Sequence, residues 1–181
     1  MKRQALCILA ALAILGAAGP QPAQAWDFEL VAGYFLPEEL DEDLTYGLGF
    51  GGRVNENFGW NVRAMWFDVA DSQGFGGRDV DADLFNVDLS FVWYPTGGGF
   101  STFAGLGWTT ADIRDLGPAN AKFSDDVFTF NAGVAYEAML TERMYLKPDF
   151  RLRWYELEGG RTDKKSQLNY EATVALGWRF D

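Results

Sequence analysis

Lys147, Asp149, Arg151 and Arg153 occupy every second position of the stretch MYLKPDFRLRWYELE, residues 144–158, with Leu146, Pro148, Phe150, Leu152 and Trp154 between and after them. A two-residue period puts charge on one face of a β-strand and apolar groups on the other. Carboxylates among arginines can do acid–base work in a cleft. In a dry interior the same groups must instead neutralise one another as ion pairs. Nucleophilic chemistry has little to work with. Asp88 and Ser90 share one strand face, but the chain has no histidine to activate the hydroxyl.

Two further motifs reduce to structure. Gly47-Leu48-Gly49-Phe50-Gly51-Gly52 matches the glycine spacing of a dinucleotide site. No helical pattern follows it, and the two-residue spacing of Gly47, Gly49 and Gly51 makes room on an inward face for long facing side chains. Asp79-Val80-Asp81-Ala82-Asp83 begins like a calcium loop, yet Leu84 stands at the position of the turn glycine and Ser90 at that of the bidentate glutamate. A helix–loop–helix calcium site is therefore excluded, which leaves a solvated acidic loop, with a looser surface ion site as the alternative.

The elements that carry these residues begin after a leader. Met1, Lys2 and Arg3 precede an apolar run from Ala5 to Ala18, followed by Gly19, Pro20 and Ala23-Gln24-Ala25. This is the pattern of a secretory signal peptide over residues 1–25, with a single domain over 26–181. The run is shorter than the ~20 residues of a membrane-spanning helix. Its removal takes away Cys7, the only cysteine, and leaves 13 basic against 26 acidic residues, a net charge of −13. Such a surface does not suit nucleic acid, and no cysteine chemistry remains. No cofactor or resident metal is expected.

The two-residue template finds eight strands, near 26–35, 44–54, 58–69, 84–94, 100–110, 126–139, 144–157 and 168–180. Short turns alternate with longer polar loops at 36–43, 70–83, 111–125 and 158–167, which predicts an all-β, eight-stranded antiparallel up-and-down transmembrane β-barrel. One face carries no charge. Aromatic residues gather near its external ends (Tyr34, Tyr46, Trp66, Phe85, Trp108, Phe128, Trp154, Tyr170) and near its periplasmic ends (Trp26, Trp60, Trp93, Phe100, Tyr136, Trp178, Phe180). Two aromatic belts around an aliphatic band mark two membrane interfaces. The opposite face carries Asp27, Glu29, Asp88, Glu137, Asp149 and Glu171 with Arg53, Arg63, Lys147, Arg151, Arg153 and Arg179, six acids to six bases. Matching depths predict the pairs Asp27–Arg179, Glu29–Arg53, Arg63–Asp88, Glu137–Lys147 and Arg153–Glu171. Pro148 predicts a bulge or an early strand position.

This pattern resembles the small eight-stranded outer-membrane β-barrel family, the OmpA-like and OmpX-like proteins, over residues 26–181. The end of the chain is similar to the family's assembly signal, with polar Thr173, small Ala175, and aromatic Trp178 and Phe180. Ala175 stands where glycine is usual, and Asp181 follows the aromatic that commonly ends such chains. The resemblance implies a bacterial outer-membrane location and three partners: outer-membrane lipid, lipopolysaccharide and the barrel-assembly machinery. It also implies a non-enzymatic envelope or surface-interaction role with a plugged polar interior. The alternative is a narrow porin-like channel or an OmpW-like route for small solutes. Lipid-modifying relatives use a histidine beside a serine, which this chain lacks. The acidic segments Glu38, Glu39, Asp41, Glu42 and Asp43, and Asp71, Asp79, Asp81 and Asp83, predict divalent cations as partners at the external loops.

The alternation of loop lengths fixes the expected orientation. A tag inserted at Gly76 or Gly160 is expected to be labelled on intact cells, and one at Gly98 only after permeabilisation; labelling of Gly98 on intact cells would reverse the topology.

Overall fold

The computed structural model describes residues 25–36, 43–71, 80–115, 122–158 and 164–180. The leader up to residue 24 and the connections 37–42, 72–79, 116–121 and 159–163 lie outside the described residues, so the acids Glu38, Glu39, Asp41, Glu42 and Asp79 are not placed. Nine strand segments follow in order: β1 (Trp26–Leu36), β2 (Asp43–Arg53), β3 (Phe58–Asp71), β4 (Val80–Trp93), β5 (Phe100–Asp115), β6 (Lys122–Tyr136), β7 (Ala138–Met139), β8 (Met144–Glu158) and β9 (Lys164–Phe180). Consecutive strands from β1 to β6 and from β7 to β9 pair antiparallel, β9 returns to β1, and β6 pairs with β8. Segment β7 meets β8 in the register already set by β6, so the two form one wall strand interrupted at Glu137. The result is a closed eight-stranded barrel, as a lipid environment requires.

Local chemistry sets the short turns. Asn55 accepts the N–H groups of Asn57 and Phe58 on Oδ1, both at 2.9 Å, closing the link from β2 to β3. Gly97 supplies the left-handed residue (φ 66°) of the β4–β5 turn, and Thr141 Oγ1 accepts the N–H of Met144 at 3.0 Å before β8.

The external ends depart from the sequence-based expectation. Pairing runs on to Asp71↔Val80, Arg114↔Lys122 and Glu158↔Lys164, so much of the expected loops 70–83, 111–125 and 158–167 is strand. Asp81 and Asp83 belong to β4 rather than to a loop. Beyond the aromatic belt, water replaces lipid outside the wall. The ladder continues there without an apolar outer face to announce it.

Pro148 departs as well. Pairs above and below it keep one register, Ala135↔Asp149 and Ala138↔Leu146, so the strand carries a break and no inserted bulge residue. The N–H of Glu137 points away to the carbonyl of Gly99. In an antiparallel ladder Tyr136 therefore faces β8, where proline offers no N–H.

Alternation places one side-chain set in the lumen and the other outward. The outward set includes all the residues of both expected belts, and Trp66 contacts Tyr46 and Phe85 at ring distances of 6.0 and 5.1 Å. The lumen is charged through its middle and periplasmic end. Towards the external end it is filled by an apolar cluster that includes Val31, Phe35, Met65, Phe67, Leu84, Ala111 and Val127. Phe35 and Phe67 lie 4.5 Å apart there.

Glycines give the lumen its room. A Cβ at Gly177 would lie 2.1 Å from Cζ of the buried Tyr145 ring, which rests against that backbone. Gly177→Ala is expected to lower stability by ~1–3 kcal/mol through overpacking. Urea unfolding of the protein refolded in micelles measures it, and the loss should shrink in a Tyr145→Ala background.

Candidate functional site

The charged lumen is built in three levels. At the periplasmic end, Arg179 of β9 pairs with Asp27 of β1 at 2.9 Å and with Glu137 at 3.1 Å, while Arg53 at the end of β2 pairs with Glu137 at 2.9 Å. Arg53 also donates to the carbonyls of Gly97 (3.2 Å) and Gly98 (3.3 Å), and its guanidinium lies 3.8 Å over the Tyr94 ring. The Tyr94 hydroxyl donates to Glu137 Oε1 at 2.9 Å. Burial, and then the adjacent Glu137 carboxylate, raise the pKa of this phenol above its ordinary value. Tyr94 therefore stays a donor at neutral pH.

In the centre, Glu29 of β1 accepts from Lys147 and from Tyr145 of β8, and Arg63 Nη2 of β3 lies 3.4 Å from its Oε2. The same Arg63 nitrogen lies 2.7 Å from Asp149 Oδ2 on the opposite wall. On the outer level, Asp88 of β4 takes Arg151 at 2.7 Å and Arg153 at 2.9 Å, and Arg153 also pairs with Glu171 of β9 at 2.9 Å. Hydrogen bonds extend this level, Ser90 to Asn131 at 3.0 Å and Asn86 to Thr109 at 2.8 Å.

All twelve interior charges thus stand in ion pairs, but with a different pairing from the one matching depth suggests. Asp27–Arg179 and Arg153–Glu171 meet. Glu29 does not meet Arg53, and Glu137 does not meet Lys147. Arg63 and Asp88 are register partners on β3 and β4, yet each finds its counter-ions elsewhere. The reason is the bore: an eight-stranded barrel is narrow enough for arginine to reach the far wall. Neighbouring inward side chains run side by side across it.

Small neighbours make those reaches possible. Gly49 sits in register between Glu29 and Arg63, and a Cβ there would lie 2.7 Å from Glu29 Oε2. Gly107 is the register partner of Asp88, and its Cβ would lie 2.1 Å from Asp88 Oδ1. Tyr94, Tyr145 and the apolar cluster at the external end were missed at the sequence level. A signal was present: at 64–67 and 84–85 both faces of the strand are apolar, which breaks the alternation.

The assembly-signal residues divide between the two faces, Thr173 and Ala175 buried in the lumen, Trp178 and Phe180 outward. On the outer surface Asp83 and Asp112 are exposed and opposite one another across β4 and β5. Among the described residues no three acidic, histidine or cysteine groups come together in a way that could hold a metal ion.

A closed barrel with a charged lumen and an exterior that is uncharged between two aromatic belts defines a transmembrane β-barrel. The chain belongs to the outer membrane protein beta-barrel domain family, whose model matches residues 7–180. Its structure is similar to that of Neisserial surface protein A (15% identity, covering 86% of this chain and 99% of that one, TM-score 0.57). It is also similar to the N-terminal β-barrel domain of Pseudomonas aeruginosa OprF (16%, 88% and 100%, TM-score 0.55) and to OprG of the same organism (16%, 87% and 97%, TM-score 0.56). At these identities the likeness is one of fold. Comparison with curated protein sequences finds no match.

Arg63 is the link between the central carboxylates. Arg63→Ala leaves Glu29 and Asp149 short of a counter-ion and is expected to cost ~3–5 kcal/mol, less where water enters. Asp149→Ala should act in the same direction, and the double change should cost less than the sum. Unfolding in urea tests this cycle.

Proposed function

We propose that this chain is a non-enzymatic integral protein of the bacterial outer membrane, delivered after cleavage of its leader, with a plugged polar interior. On this reading it acts in envelope structure or surface interaction through its acidic external segments. The observation that carries the proposal is that, among the described residues, each of the twelve lumen charges has a counter-ion within the lumen. A permeant ion would have to displace a partner that is already bonded.

Two further features support a closed lumen. The central cavity beside Asn61, Ser90, Ser101 and Asp149 is about 20 Å³, room for about one water molecule. Above the ion pairs the buried side chains of Phe35, Met65, Phe67 and Leu84 crowd the lumen with apolar groups. A catalytic role finds no support, since the carboxylates are committed to arginine and lysine and the sequence contains no histidine. Outer-membrane lipid and lipopolysaccharide are the surroundings that the aromatic belts suit, and the barrel-assembly machinery is the partner implied by the C-terminal signal.

The alternative reading, a narrow channel or a route for small solutes, is separated by recording. In planar bilayers the refolded protein is expected to show little or no steady conductance; a large, steady conductance would establish the channel instead. The acidic external segments generate a second expectation. Against anionic lipopolysaccharide they repel, so calcium or magnesium should slow proteolysis of these segments. Equal cleavage rates with and without chelator, at matched ionic strength, would remove divalent cations from the proposal.

A further inference from the structure

The interior ion pairs do not tie the wall strands equally. Among the described residues they join β8 to β1, β3, β4 and β9, and they join β1 to β3 and β9. Among the described residues no such pair ends on β6, whose described inward positions are Val127, Thr129, Asn131, Gly133 and Ala135. Thr129 and Asn131 hydrogen-bond to Asn86 and Ser90 of β4, away from β8. Arg151 of β8 likewise reaches past β6 to stand 4.6 Å over the Phe103 ring of β5. Among the described residues β6 and β8 share the backbone ladder and outward apolar neighbours, Ala132 opposite Leu152, Val134 opposite Phe150, and the rings of Phe130 and Trp154 at 5.5 Å.

That ladder is interrupted at both ends. It runs from Thr129↔Tyr155 to Ala135↔Asp149. Outward of Thr129 both strands continue, but among the described residues each is paired only on its other side, up to Arg114↔Lys122 and Glu158↔Lys164. Inward of Ala135 comes Pro148. By contrast β3–β4 pairs without a break from Phe58↔Trp93 to Asp71↔Val80, and β1–β9 from Trp26↔Phe180 to Leu36↔Tyr170. The β2–β3 ladder is short but unbroken, and a bond from Thr45 Oγ1 to the Trp66 carbonyl at 3.0 Å reinforces it. Below the β6–β8 seam, Glu137 is clamped through its N–H to Gly99 and its carboxylate to Arg53 and Arg179.

We propose that the β6–β8 seam is where this barrel wall opens, parting from the external end downward about a hinge at Glu137. Parting it separates Phe130 from Trp154 and breaks the unreinforced ladder, while every described interior ion pair keeps both partners. It brings Val127, a member of the external apolar cluster, toward the hydrocarbon around the barrel. The inference does not depend on whether the lumen conducts.

Amide hydrogen exchange on the refolded protein tests it within a single strand. The N–H of Glu137 points to Gly99 beside β5, so by alternation odd-numbered residues of β6 face β5 and even-numbered ones face β8. Phe130, Ala132 and Val134 are expected to exchange about tenfold faster than Thr129, Asn131 and Gly133. The β3–β4 and β1–β9 amides should stay slow. Equal rates for the two sets, or faster exchange across β1–β9, would overturn the proposal. Pro148→Val supplies the missing N–H and should slow the even set while leaving the odd set unchanged; a variant that slows neither set, or both alike, would contradict the role given to Pro148. Should that variant not fold, the comparison in the unmodified protein still decides.

Discussion

The structure depends on charge neutralisation in a confined space. Closing eight strands in lipid satisfies the backbone but leaves a bore wide enough only for side chains. The inward face of this chain puts six acids and six bases into that bore. An isolated buried charge carries a large desolvation cost, whereas a paired and hydrogen-bonded one is tolerated. The levels of the lumen follow from this requirement. Asp88 sits between Arg151 and Arg153, Arg63 between Glu29 and Asp149, and Glu137 between Arg53 and Arg179.

Shape allows the chemistry to close. Carboxylates are short and arginines long, so the pairs span the bore from the arginine side. Glycines at 49, 107 and 177 clear the wall beside Glu29, Asp88 and Tyr145. The same arrangement distributes strength unevenly. Strand β8 contributes Lys147, Asp149, Arg151 and Arg153 and is tied across the lumen to four other strands, while the described inward positions of its neighbour β6 are neutral. Outside, the aromatic girdles face lipid on all sides and so do not compensate for that asymmetry.

Much of this was legible in the sequence because a membrane barrel writes both of its environments on each strand. The alternation in 144–158 and its seven counterparts was enough to show eight strands and their two faces, with the expected belt aromatics outward and the twelve charged residues inward. The partners were not legible. Sequence spacing gives the depth of Arg63 or Glu29 but not the width of the bore, and width decides whether an arginine meets its neighbour or the opposite wall. The external strand ends were hidden for another reason. Beyond the belt Asp83 and Asp112 are exposed on paired strands, and a polar outer face reads as loop. Phe35, Met65, Phe67 and Leu84 were overlooked because apolar residues on both faces blur the two-residue period.

The most direct measurement is of the arginine side chains themselves, by nitrogen-15 NMR of the protein refolded in lipid nanodiscs. Arginines held in buried ion pairs have hindered guanidinium rotation and protons shielded from water. Arg63, Arg151 and Arg153 should therefore each give resolved, slowly exchanging Nη signals, with proton contacts from Arg63 to the Glu29 and Asp149 side chains and from Arg151 and Arg153 to Asp88. Averaged Nη signals in rapid exchange with bulk water at all three residues would contradict the account, because they would place these charges in an open, hydrated lumen.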